Sequence, residues 1–187
     1  IWQCAECDAC AERCPQGIEI VRVMDYLRIH AQQTDIPAAV PSVPAFYHAA
    51  LKGISLFGRM YEVGLMVQMY LTLFLHRCLN LGQLLRLDMP VGIRMFLKGK
   101  LHPLPTLVRT AKRVPKLDAD AIAYSPGCSL HGTSHEYDAS AKAVFETLGR
   151  PLQEPPGWSC CGTTPAHSTD EHLAAVLPFR TIAILQQ

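Results

Sequence analysis

The chain has 187 residues, a formal net charge of +1 and a pI of about 7.8. A charge this close to neutral gives no argument for binding nucleic acid or an anionic membrane surface. Seven of the eight cysteines fall in two tight groups. This clustering favours metal ligation in a reducing compartment such as the cytoplasm, and it argues against a disulfide framework.

The first region, residues 1–89, begins with a C-x2-C-x2-C-x3-C-P run. Thiols at this spacing can surround one iron–sulfur cluster from a single short loop. In two-cluster ferredoxins, the cysteine before the proline binds the other cluster. Zinc sites usually pair two separated knuckles, so zinc is the disfavoured alternative. The predicted cluster ligands are Cys4, Cys7, Cys10 and Cys14.

Each of these two clusters would lack ligands within the chain. Only three residues precede Cys4, so the other three ligands of the cluster bound by Cys14 are missing. Cys78 is disfavoured as a substitute, because a lone cysteine in an apolar helix is usually buried. We therefore expect the chain to be a fragment that begins inside a two-cluster ferredoxin-like domain.

The remainder of this region is predicted to be mainly helical. Residues 20–27 show helical apolar spacing, residues 35–46 predict an extended proline-rich connector, and residues 45–89 predict helix. The most apolar stretch, residues 64–75, is shorter than the roughly 20 residues of a membrane span. We expect it to pack in a core or against a partner subunit, with membrane-surface contact as the alternative.

Residues 90–117 are predicted to form a basic, proline-containing linker. They hold seven Lys or Arg residues, four prolines and no acidic residue. Such a composition is typical of a solvated, semi-rigid connector. The alternative is a docking strip for an acidic electron carrier.

Residues 118–187 predict a small α/β unit. The pattern gives a strand, a cysteine loop, a helix, a second strand, a loop with two adjacent cysteines, and a final helix. Capping boxes are predicted to start the two helices at Thr133 and Ser168. Ligands tend to bind at the loops that follow the strands of such sheets. The predicted ligands are Cys128, Cys160 and Cys161.

Several stretches carry a family resemblance. PGCSLHGTSHEYDASAKAVFETLG with GWSCCG is similar to the first half of a CCG domain, the cysteine-rich module of heterodisulfide reductase. IWQCAECDACAERCPQGIEIV, AFYHAALKGISLFGRMYEVGLM and MFLKGKLHP resemble the separate ferredoxin-like subunit of that enzyme. The chain thus resembles a fusion of these two heterodisulfide reductase subunits. The expected fold is an α-helical ferredoxin-like N-terminal part followed by a small α/β CCG-type domain.

The resemblance also implies cofactors and a function. Ferredoxin-type 4Fe–4S clusters would bind the first cysteine group, and a non-cubane 4Fe–4S cluster would bind the second. A flavoprotein or cytochrome b-type donor would supply electrons, and the second cluster would reduce CoM-S-S-CoB or a related disulfide or sulfur carrier. His131 and His135 could donate protons near Cys128, although the catalytic residues stay unknown. The C-x-x-C and second CCG repeat of the family would lie beyond Gln187, so the fragment is expected to be inactive.

Two other functions stay open at this point. The same layout is similar to electron-transfer subunits of glycolate, lactate and glycerol-3-phosphate dehydrogenases, which relay electrons to quinone. A zinc-stabilised interaction module is the third interpretation. The expected location is the cytoplasm, with or without membrane association through a partner subunit, and no nucleic acid is expected as a partner.

Overall fold

The computed structural model describes residues 1–108, 118 and 120–186. A π-helical turn, Leu84–Asp88, leads into α6, and two short strands, β1 (Ile122–Ala123) and β2 (Leu152–Gln153), pair in parallel. The helices are α1 (Ala9–Glu12), α2 (Ile20–Gln33), α3 (Ser42–Phe57), α4 (Glu62–Leu75), α5 (Leu81–Gln83), α6 (Met89–Leu97), α7 (Gly127–His131), α8 (His135–Thr147), α9 (Thr163–His167) and α10 (Glu171–Leu185).

Helices α3 and α4 pack against each other and form the centre of the N-terminal part. Ala49 and Ala50 are buried at their contact with Leu65, and small side chains there let the two helices approach closely. Helix α3 begins at Ser42, inside the stretch predicted to be an extended connector. Pro44 is accommodated because a proline in the first turn of a helix removes no intrahelical hydrogen bond.

The apolar stretch at residues 64–75 lies within α4, and only part of it is buried. Leu65 and Leu73 face the core, whereas Val67, Leu71 and Phe74 are exposed. None of the helices in the described part of the chain is long and apolar enough to cross a membrane.

The middle of the chain differs from the predictions in the linker and at Cys78. Helix α6 occupies residues 89–97, so the start of the predicted linker is helical, and residues 109–117 lie outside the described residues. The prediction of a buried Cys78 is wrong. Helix α4 ends at Leu75, and Cys78 follows in an exposed turn, where its thiol lies 3.3 Å from the His76 carbonyl.

The C-terminal part has the predicted strands and longer helices in order, but Cys128 lies in a short helix, α7, instead of a loop, and α9 is an additional short helix after the cysteine pair. Both predicted caps are wrong. Thr133 does not cap α8, which follows Ser134 without a side-chain cap. Helix α10 is capped by Asp170, whose carboxylate accepts from the N–H groups of His172 and Leu173. Ser168 cannot serve as that cap because its hydroxyl is buried and engaged elsewhere. Assignment of the two parts as ferredoxin-like and CCG-type stays a prediction.

Candidate functional site

The first cysteine segment is a tight, largely exposed loop. Glu6 and Asp8 have left-handed backbone, with φ of 53° and 56°, and they separate successive cysteines. Such residues turn the chain sharply, so the segment forms neither strand nor long helix. Cys7 and Cys10 are exposed, whereas Cys4 and Cys14 are partly buried.

Backbone amides surround the last sulfur of this segment. Hydrogen bonds from the N–H groups of Ile18, Gln16 and Gly17 lower the pKa of the Cys14 thiol. Gly17 has a φ of 66°, which helps turn these amides toward the sulfur. A thiolate ringed by amide donors has the character of a metal ligand, since such hydrogen bonds also set cluster potentials.

A buried arginine ties this loop to the C-terminal part of the chain. Arg28, on α2, has no exposed surface. Its guanidinium donates to the carbonyls of Ile1 at 3.0 Å and Cys4 at 2.7 Å, and it pairs with the Glu6 carboxylate. It also donates to the Ser168 hydroxyl at 3.1 Å, across 140 positions of sequence. Arg28 therefore holds the first cysteine loop against the segment that follows the cysteine pair.

Ser168 completes this cluster. Its oxygen lies 3.0 Å from the carboxylates of both Glu6 and Asp25. A hydroxyl has one hydrogen, so it donates to one carboxylate at a time while accepting from Arg28. The Gln32 amide donates to the Ser168 carbonyl at 2.6 Å, which fixes the backbone as well.

The second cysteine segment consists of Cys128 together with the adjacent pair Cys160 and Cys161, and the turn between α3 and α4 contacts both parts. The Cys160 N–H donates to the Gly58 carbonyl at 2.9 Å, and the Met60 N–H donates to the Cys128 sulfur at 3.4 Å. Gly58 has a φ of 78°, and a Cβ there would lie 2.8 Å from Val108. Glycine is therefore required at this point of contact.

Hydrogen bonds link the three thiols of the second segment, Cys128 with Cys160 and Cys160 with Cys161. A hydrogen bond from Cys160 lowers the pKa of Cys128, and the Met60 amide and the Arg59 charge act in the same direction. The same hydrogen bond raises the pKa of the donor, Cys160, to about 11. The hydrogen bond with Cys160, together with burial, raises the pKa of Cys161. Cys128 is therefore the thiol of this segment that most readily becomes a thiolate.

An aromatic and cationic stack lies beside Cys128. Trp158 is fully buried, and the Arg59 guanidinium lies 3.7 Å from the centre of its ring. The Trp158 indole N–H donates to the Glu154 carboxylate. His131 meets the indole edge and stacks on His102. The four side chains of the stack and Cys128 line the same small cavity.

A small cavity of about 20 Å³ lies beside Cys128. His131 lines it, as do Glu62 and His102, whose Nδ1 lies 3.6 Å from the Glu62 carboxylate. His135 is not among the lining residues; it is exposed beside Glu136. Of the two histidines predicted near Cys128, the structure thus places only His131 there.

Sequence reasoning missed several residues that organise the two segments. Arg28 lies among the polar residues of an amphipathic helix, where an arginine normally faces solvent. Arg59 and Glu62 flank an apolar stretch, and the sequence marks them only as its boundaries. Trp158 precedes the cysteine pair by two residues, and a large aromatic side chain there is the signal that could have indicated a covered site.

No group of three or more Cys, His, Asp or Glu side chains among the described residues is arranged to hold a metal ion. The structure brings Cys128 next to Cys160, and Cys160 next to Cys161. It leaves Cys7 and Cys10 exposed at a separate loop. In chemistry, however, the donors fit an iron–sulfur cluster, because they are soft thiols with amide hydrogen bonds to sulfur.

One curated protein is similar to part of the chain. Over 66 residues the chain is 37% identical to the 8-methylmenaquinol:fumarate reductase membrane anchor subunit of Wolinella succinogenes. The match covers 35% of this chain and 23% of that protein. The chain thus spans less than a quarter of the length of the relative it matches. No family model and no solved structure matches the chain.

This match corrects the predicted identity. The relative is a membrane anchor subunit of a fumarate reductase, so the assignment to heterodisulfide reductase is wrong. The predicted reduction of a heterodisulfide and the classification as a heterodisulfide reductase-like enzyme are wrong with it. The error has a physical origin: cysteine spacing reports how a cluster can be held, and it does not report which reaction the protein serves.

The predictions about partner subunits and membrane association agree in part with the match. The relative is a subunit of a redox complex, which is consistent with redox subunits as partners. It is also a membrane anchor, which is consistent with membrane association.

Proposed function

We propose that this chain is an electron-transferring subunit of a membrane-associated respiratory reductase, linking a quinol pool to a separate fumarate-reducing subunit. The observation that carries the proposal is the 37% identity over 66 residues to the membrane anchor subunit of 8-methylmenaquinol:fumarate reductase. The chain itself would pass electrons, and reduction of fumarate would belong to a partner.

The two cysteine segments are the proposed electron carriers. Cys4, Cys7, Cys10 and Cys14 would hold ferredoxin-type clusters, and Cys128, Cys160 and Cys161 would contribute to a further cluster, each completed by ligands from elsewhere in the complex. Bound clusters would supply one-electron transfer. The chain's own contribution is to place thiols beside amide donors, to pack Trp158 and Arg59 at the cavity beside Cys128, and to hold the two segments together through Arg28.

Metal analysis of serine variants tests this assignment. The complex is purified without oxygen, and iron, acid-labile sulfide and the electron paramagnetic resonance of the reduced state are measured. We expect Cys10→Ser and Cys160→Ser each to lose iron and one set of resonance signals. Cys78→Ser is the matched control, because Cys78 is exposed and lies outside both segments, and it should keep wild-type values. Absence of iron and sulfide from the wild-type complex would contradict the proposal.

The link to quinol is tested by turnover of the intact complex. Reduced naphthoquinol is added anaerobically, and fumarate reduction is followed. We expect turnover in the wild-type complex and its loss in Cys160→Ser, with the partner's fumarate reduction from an artificial dye donor unchanged. If both donors still work in the variant, electrons bypass this chain.

The proposed membrane contact rests on an exposed apolar face. We define the apolar face as the exposed apolar side chains of α4, the π-helical turn and α6. Basic residues lie within or next to the same stretch of sequence: Arg77, Arg86, Arg94 and Lys98. Apolar side chains beside basic ones are typical of helices that lie in the interface of an anionic bilayer. The residues of the face are Val67, Leu71, Phe74, Leu75, Leu85, Leu87, Met89, Val91, Ile93, Phe96 and Leu97.

A further inference from the structure

We propose that the groove between α4 and α6 binds an isoprenoid quinol, with a ring hydroxyl hydrogen-bonded to Asp88 and the tail along the apolar wall. This rests on the proposed function and deepens it, because it names where on the chain the quinol would bind.

The groove has the size and lining of such a site. Its volume is about 600 Å³, within the range of roughly 300–1,000 Å³ typical of small-molecule pockets. Side chains of α4 and α6 form its walls, including Val67 and Leu71 on one side and Ile93 and Phe96 on the other. Among the described lining residues, Tyr70 and Asp88 alone carry polar side chains. The proposed quinol, a fused aromatic ring with an isoprenoid tail, is likewise mostly apolar.

The π-helical turn positions Asp88, and α4 positions Tyr70. Asp88 is the last residue of that turn, and π-helical turns are often found at functional sites because the extra residue re-aims a side chain. Burial, together with the neighbouring Asp88 carboxylate, raises the pKa of Tyr70 to about 12. The phenol therefore stays protonated and faces the carboxylate. A carboxylate has about four acceptor positions, so Asp88 can also accept from a quinol hydroxyl.

The pair separates two different cavities. Tyr70 and Asp88 also line a second cavity of about 590 Å³, on whose wall the amide side chains of Asn80 and Gln83 lie. Asp88 thus lies at the boundary between the apolar groove and this second cavity, whose walls are also mostly apolar.

The groove also lies next to the second cysteine segment. Val63 and Leu101 line the groove, and their chain neighbours Glu62 and His102 line the small cavity beside Cys128. The two spaces are therefore lined by adjacent residues at two separate points of the chain. A quinol in the groove would sit near the thiols proposed to carry electrons.

The chemistry of the groove favours a quinol over a lipid. An acyl chain makes no use of a hydrogen-bonding pair beside the groove. A quinol hydroxyl donates a hydrogen bond, which a carboxylate accepts more strongly than a neutral group does.

Direct binding measurements test the site independently of the clusters. The purified complex is titrated calorimetrically, in detergent, with a naphthoquinol carrying one isoprenoid unit. We expect Asp88→Asn to weaken binding about tenfold or more, since it removes a charge-assisted hydrogen bond. Gly92→Leu should also weaken binding, because a Cβ at Gly92 already lies 3.4 Å from the Met66 methyl and a longer side chain fills the groove. Val91→Leu is the matched control on the same helix, and its side chain does not line the groove.

The outcomes separate this site from the proposed function. Unchanged affinity in both Asp88→Asn and Gly92→Leu would overturn the site, even if the clusters are present and quinol-dependent turnover persists. Displacement of the quinol by dodecylphosphocholine, with equal affinity in Asp88→Asn and wild type, would make the groove a nonspecific acyl-chain site and also overturn it. Reduced binding in both variants supports the site even if metal analysis finds no iron.

Discussion

Arg28 concentrates more buried polar contacts than any other side chain described above. Replacing it with methionine leaves the carboxylates of Glu6 and Asp25 without their cation. Breaking a buried ion pair by removing one partner typically destabilises a protein by about 3–5 kcal/mol. We expect Arg28→Met to lower the free energy of unfolding by that amount, measured by urea denaturation followed through tryptophan fluorescence.

Arg22 provides the control for this substitution. It pairs with Glu19 at 2.7 Å on the same helix, but both side chains are mostly exposed. Exposed pairs are worth about 0–1 kcal/mol. Arg22→Met should therefore leave stability nearly unchanged. If the two variants are equally stable, the buried cluster does not hold the cysteine loop as described.

Cys128 and Cys160 should ionise in a fixed order when no metal is bound. The pKa of Cys128 is lowered from 9.0 and that of Cys160 is raised to about 11. The lowered pKa means that Cys128 favours the folded state above the unfolded thiol value, and this contribution is lost as the pH falls through the folded pKa. The raised pKa means that Cys160 favours folding below 9.0, and this contribution is lost as the pH rises toward 11.

Thiolate absorbance in the ultraviolet measures that order. Just below pH 9.0, the metal-free Cys128→Ser variant should lack one thiolate that the wild type shows. Cys160→Ala should lose only part of that thiolate signal. It removes the largest cause of the lowered pKa, the hydrogen bond from Cys160, but it leaves the Met60 amide and the Arg59 charge in place. Identical titration curves for Cys128→Ser and wild type would contradict the assignment.

At the scale of elements, Asp170 determines where α10 begins. Its carboxylate accepts from two N–H groups of the first turn, at 2.8 and 3.2 Å. Removing such a cap usually costs about 1 kcal/mol. We expect Asp170→Ala to lower the unfolding free energy by that amount in a urea titration. The adjacent Glu171→Ala keeps the cap and should have a smaller effect; the reverse ranking would place the helix start elsewhere.

Elements were easier to predict from the sequence than their ends. The strands at β1 and β2 follow from short apolar runs, and the order of helices around them follows the local periodicity. The caps at Thr133 and Ser168 failed because a capping box is a local pattern, whereas Ser168 is engaged by Arg28 from 140 positions away. Pro44 was interpreted as a marker of extended chain, although a first-turn proline is equally compatible with helix.

The site shows the same division between local and distant information. The first four cysteines lie within eleven residues, and Cys160 and Cys161 are adjacent, so both runs are visible in the sequence, whereas Cys128 lies 32 positions before Cys160. The contacts of Cys128 with Met60 and of Cys160 with Gly58 join segments far apart in the chain. No periodicity in a single sequence encodes such pairings, so Arg59 and Trp158 could not be assigned to the same stack.

At the scale of the whole molecule, the apolar face predicts binding to bilayers. We expect the chain to sediment with vesicles containing phosphatidylglycerol, and Leu97→Asp to weaken this binding about tenfold or more, because burial of one leucine contributes about 1.5–3 kcal/mol. Added salt should also weaken binding, since it screens the basic residues.

The control for vesicle binding is Val144→Asp on α8. Val144 is an exposed apolar residue like Leu97, but it lies outside the apolar face. It should bind vesicles as the wild type does. Equal losses in both variants would indicate nonspecific adhesion, and wild-type binding by Leu97→Asp would exclude the face as the membrane contact.

The long span of the Arg28–Ser168 contact also has a consequence during synthesis. The ribosome adds about 5–20 residues per second, so Ser168 follows Arg28 after about 7–28 seconds. Throughout that interval the guanidinium has only its nearby carboxylates and carbonyls as partners, and the loop from Cys4 to Cys14 lacks its C-terminal support. During that interval the loop that carries the first four thiols is therefore not yet fixed in its native position.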